Sequence, residues 1–109
     1  MTEQGPLPTG SAERKTYPLY RGLFLYFPRA LAAVAHHSWV GNEQHHPGTP
    51  LHWDRSKSSD EEDALLRHVL EGEWEAVAWR ALAKLEKVLE ERAAHASAEA
   101  QKPPGTLAG

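Results

Sequence analysis

The chain has 109 residues, enough for one small domain. Forty per cent apolar and 25% charged residues place it in the ordinary globular range, with 12 basic against 15 acidic side chains and a formal net charge of −3. That balance gives no field strong enough for a duplex nucleic-acid backbone, and the lack of cysteine excludes disulfides, thiolate zinc sites and thiol nucleophiles.

Residues 1–15 are rich in Gly, Pro, Thr and charge and offer no apolar surface, so a mobile tail is expected there. Glu3, Pro6 and Pro8 stand where a secretory signal needs basic and apolar residues, which makes the cytoplasm the expected location. The most apolar stretch, Leu19 to Val40, is broken by Arg21, Pro28, Arg29, His36 and His37, and no membrane crossing is expected. Within it, Leu19 to Phe27 is too uniformly apolar for periodicity to choose between a short helix and an extended segment. Burial is expected in either case. Pro28 suits a first helical position, because its missing N–H would be unpaired there, and Leu31, Val34, Ala35, Ser38 and Trp39 follow 3.6-residue spacing. Gly41 is the expected stop.

Gly41 to Ser58 has no periodicity and reads as a long loop. Ser59-x-x-Glu62 then forms a capping box, with Asp60, Glu61 and Glu62 suited to the positive end of a helix dipole. In that helix Leu65, Leu66, Val69 and Leu70 make one stripe and Asp60, Asp63, Arg67 and Glu71 another, up to a stop at Gly72. The clearest helical pattern follows: Trp74, Val77, Ala78, Ala81, Leu82, Leu85, Val88 and Leu89 on one face, Lys84, Lys87, Glu90 and Glu91 on the other. Residues 98–109 read as a second tail. No segment shows convincing β alternation. The expected fold is all-α, a small helical bundle over residues 16–97 with a long loop between its first two main helices. A domain this size buries only ~60% of its unfolded surface, so completion by homo-oligomerisation, as a dimer or tetramer, is expected.

The loop carries the chemistry. Trp53 beside Arg55 and Lys57 offers a ring for a base and cations for phosphate oxygens; Trp53 serves equally as a plug closing the core. Asp60 and Asp63 lie one helical turn apart and suit Mg²⁺ or Mn²⁺, although acids in a first turn also simply serve the dipole and pair at i, i+4. His45, His46, His52 and His68 match no zinc spacing, and His36 and His37 read as boundary residues of the first helix. There is neither a phosphate-binding glycine loop nor a Gly-x-Ser-x-Gly elbow.

Three segments together carry a resemblance: YPLYRGLFLYFPRALAAVAHHS from Tyr17, GNEQHHPGTPLHWDRSKSSDEEDALLRH from Gly41, and AWRALAKLE from Ala78. Their order, and the dense block from Trp53 to Ser58 leading to Arg67-His68, resemble the phage-associated dATP/dGTP diphosphohydrolase domain family, related to MazG-like all-α nucleoside triphosphate pyrophosphohydrolases. The resemblance implies a helical homo-oligomer that cleaves a purine deoxynucleoside triphosphate to monophosphate and pyrophosphate with Mg²⁺ or Mn²⁺, in the host cytoplasm if phage-encoded. It implies Asp60 and Asp63 as metal ligands, Glu43 and Glu73 as additional ones, Asp60 and His68 as catalytic groups, and His52, Trp53, Arg55, Lys57 and Arg67 on the substrate. The chain departs from the pattern between Arg67-His68 and the Ala78 segment. The family has a longer stretch with Gly-Glu, a later Asp and a later His, whereas only Val69 to Val77 stands here. Gly72-Glu73 matches the Gly-Glu; the later Asp and His have no counterpart. Glu73 or Glu75 replaces them, or activity falls, leaving a non-catalytic nucleotide-binding or oligomerising module as the alternative.

Overall fold

The computed structural model describes residues 5–56 and 60–101. All regular structure among them is helical: α1 (Ser11–Arg14), a π-helical turn at Tyr20–Phe24, α2 (Pro28–His45), α3 (Glu61–Leu70) and α4 (Trp74–Ala100). The all-α expectation is met. One helical turn lies inside the expected N-terminal tail, and α4 runs three residues past Ser97. No described helix is long and apolar enough to cross a membrane. The expected tail segments 1–4 and 102–109, the Ser59 capping box and Lys57 fall outside the described residues.

Pro28 opens α2 as its sequence predicts, but Gly41 does not stop it. The helix continues because Asn42 is buried and donates from Nδ2 to the Thr49 carbonyl at 3.1 Å, folding the following chain back on the last turn. The stop falls at His46, before Pro47 and before Gly48 at φ 78°, where a side chain would be strained. Gly72, at φ 69°, ends α3 as expected. Its N–H donates to Val69 O at 3.1 Å and Glu73 N–H to His68 O at 3.0 Å, the paired bonds of a left-handed glycine cap.

The α3–α4 hairpin is antiparallel: Glu62 meets Lys84 at 3.0 Å and His68 meets Glu73 at 2.7 Å. Near its open end the Glu61 side chain, 5% exposed, accepts from Arg80 at 3.1 Å and from Lys87 at 2.8 Å. α2 joins through Trp79, whose indole N–H donates to Ser38 Oγ at 2.5 Å.

Packing departs from the predicted stripes. The buried apolar residues described are Ala64, Ala76 and Ala83, small enough to let α3 and α4 approach closely. The in-chain face of α4 runs through Ala76, Arg80, Ala83 and Lys87, because two cations there answer one carboxylate. That turns Leu82, Leu85 and Leu89 to solvent, with Leu66 and Leu70 likewise exposed on α3. The expected burial of Leu19 to Phe27 also fails: only α2–α4 and α3–α4 pack extensively, and the segment stands clear of both contacts. A radius of gyration of 18.0 Å exceeds the roughly 13 Å of a compact domain this long. A single chain therefore leaves much of its apolar surface wet.

Burial pushes the Glu61 carboxyl up, and the hydrogen bonds from Lys87 and Arg80 outweigh it, leaving it below the usual carboxylate range. Glu61→Ala strands two partly buried cations, and urea denaturation is expected to show a loss of about 3 kcal/mol, against under ~0.5 kcal/mol for exposed Glu91→Ala. Because the folded-state value is depressed, this contribution is complete above the ordinary glutamate value of about 4.3 and is lost as pH falls through the depressed one. Glu61→Gln is expected to flatten that acid limb.

Candidate functional site

The loop after α2 returns along α4 and sets Trp53 edge-on against Trp79, ring centroids 5.7 Å apart. Trp53 is half-buried, so it plugs and faces outward at once. The Arg55 guanidinium lies 4.4 Å from the Trp53 ring centroid and the Lys87 ammonium 5.7 Å from it. Both distances are within cation–π range. Arg55 is held in place by a two-pronged contact with Glu90, one arm at Nη1···Oε2 3.2 Å. The hydrogen bond to Glu90 raises the Arg55 pKa, and the same bond holds Glu90 below the usual carboxylate range. Trp53, Arg55 and Glu90 edge an open cleft of about 470 Å³ walled by Leu82, Leu85 and Leu89.

Asp60 stands at the N-cap of α3 and Asp63 in its first turn, at the Trp53 end of the hairpin, where Glu61 between them reaches Lys87. Asp60 accepts from Arg67, seven residues further on, at 3.3 Å. Glu62 is drawn to Lys84, whose hydrogen bond lowers its pKa. The carboxylates flanking the turn are thus largely answered by cations.

The other predicted residues lie elsewhere. His68 is near the far end of α3, eight residues and about 12 Å of helix from Asp60. Its Nδ1–H donates to Glu73 Oε1 at 2.7 Å, which fixes the tautomer and leaves Nε2 for another partner. Around this pair His36, His37 and Glu75 line a second cleft of about 360 Å³. The two α2 histidines, read from sequence as boundary residues, thus meet a predicted catalytic one. His52 turns onto His46, ring centroids 4.8 Å apart, and its Nδ1–H donates to Pro50 O at 3.2 Å. Glu43 is half-buried in the last turns of α2. Among the described residues no three His, Asp or Glu side chains form a group able to hold a metal ion, so Asp60, Asp63, Glu43 and Glu73 are not one donor set within a single chain.

Glu90 and Trp79 complete the aromatic cleft and Lys87 attends its Trp53 ring; none of the three was singled out by sequence as a site residue. Lys87 and Glu90 had the pattern of a solvated helix face, and only the return of the loop across α4 gives them a role. Comparison with family models, with curated proteins and with solved structures finds no match to this chain.

The geometry makes Arg55 a cover for the Trp53 ring. In a Trp39→Phe, Trp74→Phe background, which leaves Trp53 and Trp79 as the fluorophores, Arg55→Ala is expected to raise acrylamide quenching. Unchanged quenching would show that the guanidinium shields nothing.

Proposed function

We propose that this chain is a self-associating, metal-dependent pyrophosphohydrolase of purine deoxynucleoside triphosphates, dGTP or dATP, acting on a cytoplasmic nucleotide pool. The observation that carries the reading is Trp53 attended by Arg55 and Lys87 at the edge of an open cleft, next to the acidic first turn of α3. A nucleotide needs a flat face for its base, cations for its phosphates and hard oxygen donors for the accompanying ion. The resemblance to the diphosphohydrolase family runs through the same residues.

Arg55 is the first group to respond. A triphosphate competes with Glu90 for the guanidinium, and as Arg55 turns to phosphate the Trp53 face opens to the base. Lys87, shared with Glu61, adds positive charge at the same place. Asp60 and Asp63 offer carboxylates one turn apart, with Arg67 free to move from Asp60 to substrate. A Mg²⁺ or Mn²⁺ ion bound there would neutralise phosphate charge and acidify the attacking water. His68, fixed by Glu73, presents Nε2 to orient water or phosphate. Because it lies about 12 Å along α3 from Asp60, it joins that site only when a second copy brings it alongside. Glu43 and Glu73 reach a shared ion by the same route. Self-association therefore belongs to the reading, and the wet leucines of α4 and the small buried core support it.

A second reading, a nucleotide-binding or oligomerising module without catalysis, is favoured by the ion pairs that occupy Asp60 and Arg55 in this state. Incubation of the protein with each deoxynucleoside triphosphate and Mn²⁺ is expected to release monophosphate and pyrophosphate from dGTP or dATP. Asp60→Asn and Asp63→Asn should each lower the rate at least ~100-fold. Absence of monophosphate from every purine nucleotide rejects hydrolysis. Equal affinity for a non-hydrolysable dGTP analogue with and without Mn²⁺, read by calorimetry, then selects the module.

A further inference from the structure

Two apolar surfaces of this chain lie open. Every Leu, Tyr and Phe between Tyr17 and Phe27 is 43–70% exposed, and Leu82, Leu85 and Leu89 on α4 are 46–52% exposed. In their own chain the two do not cover one another. We propose that the Tyr17–Phe27 segment of one copy packs on the exposed Leu82, Leu85 and Leu89 of a second copy, and reciprocally, walling the leucine side of the cleft and leaving its Trp53–Arg55 edge open to a nucleotide. The proposal rests on the self-association argued above and names the surfaces that make it.

Area supports the assignment. A large aromatic side chain buries 150–250 Å² when fully covered, so a half-exposed one leaves on the order of 100 Å² wet. Eight such side chains, somewhat less for the leucines, give roughly 800 Å², the share one partner brings to an interface of standard size. A monomer rarely keeps so much apolar surface exposed in one short segment without a use for it. Reciprocal docking doubles the burial and closes the pair by a two-fold axis, leaving no unsatisfied copy of either surface.

The segment is also prepared for docking. Leu25 N–H donates to Tyr20 O at 2.9 Å, closing the π-helical turn, and the Tyr20 and Phe24 rings stack with centroids 6.1 Å apart. Gly22 lets the turn close on Pro18, since a Cβ there would sit 3.1 Å from the proline ring. Little freedom remains to be lost on binding. Charge agrees: Arg21 is the one charged residue between Thr16 and Phe27, and Glu86 and Glu90 stand on the rim of the cleft. A lipid surface is the competing occupant for an aromatic, basic segment. It would leave the leucine cleft of α4 uncovered, and a five-residue helical turn is far shorter than the 20–30 residues of many interfacial helices.

The chain has no cysteine, so single cysteines report cleanly. Phe24→Cys and Leu85→Cys, both at positions exposed in the single chain, are purified, checked for helicity by circular dichroism, mixed and mildly oxidised, and the disulfide-linked species are weighed by mass spectrometry. The expected result is that Phe24→Cys joined to Leu85→Cys outnumbers both like-with-like dimers. Phe24→Asp in the otherwise unaltered chain should shift sedimentation from dimer to monomer. Like-with-like dimers alone, with a dimer seen in sedimentation, overturn the docking while sparing self-association. A monomer at every concentration overturns both. Flotation of that monomer with anionic phosphatidylserine vesicles would assign the segment to lipid instead.

Discussion

Glu61 is the pivot of the molecule. A buried carboxylate needs compensation by charge and hydrogen bonds, and here Arg80 and Lys87, two turns apart on α4, supply both. That demand fixes the rotation of α4 about its own axis. With Arg80 and Lys87 turned inward, Ala76 and Ala83 fall in the contact because they lie on the same stripe, and Leu82, Leu85 and Leu89 must point away. Lys87 then stands where it attends both Glu61 and the Trp53 ring, so the hairpin and the aromatic cleft share one cation.

The helices were legible in the sequence because their signals are local. Pro28 at a helix start, Gly72 at a helix end and the long periodic run from Trp74 act over a few residues, and all three lie where the pattern puts them. The extent of α2 was not legible, since Gly41 is a common stop and the countervailing contact, Asn42 to the Thr49 carbonyl, exists only once the loop has folded back. The packing face of α4 was misread for a related reason. Periodicity identifies the most apolar stripe, and in a complete core that stripe is the buried one; here the Glu61 contacts with Arg80 and Lys87 turn a different stripe inward and leave Leu82, Leu85 and Leu89 open.

Part of the candidate site follows the same division. Trp53 next to Arg55 is a local pair, visible as a pair in sequence and found as one in the structure. Lys87 and Glu90 are 34 and 35 residues from their partners Trp53 and Arg55 and belong to a helix face that reads as solvated. Histidines 36, 37 and 68 meet only through the packing of α2 against the start of α4. Spacing along one helix can say that Asp60 and Asp63 are neighbours, but it says nothing about which end of the hairpin His68 occupies relative to them. Some 12 Å of helix is the physical reason that a single chain does not gather its acidic turn and its His68–Glu73 pair into one pocket.

The short connection between His68 and Ala78 follows from the same geometry. A tight glycine turn joins α3 to α4 and brings Glu73 onto His68 at 2.7 Å, leaving no room for an intervening excursion of chain. That end of the hairpin holds an imidazole cleft with carboxylates at Glu73 and Glu75, while Asp60 and Asp63 lie at the opposite end. Under the proposed hydrolase reading, these two chemically different ends form one site only if a second copy apposes them. The small in-chain core and the open leucine stripe leave apolar surface that such a neighbour would cover.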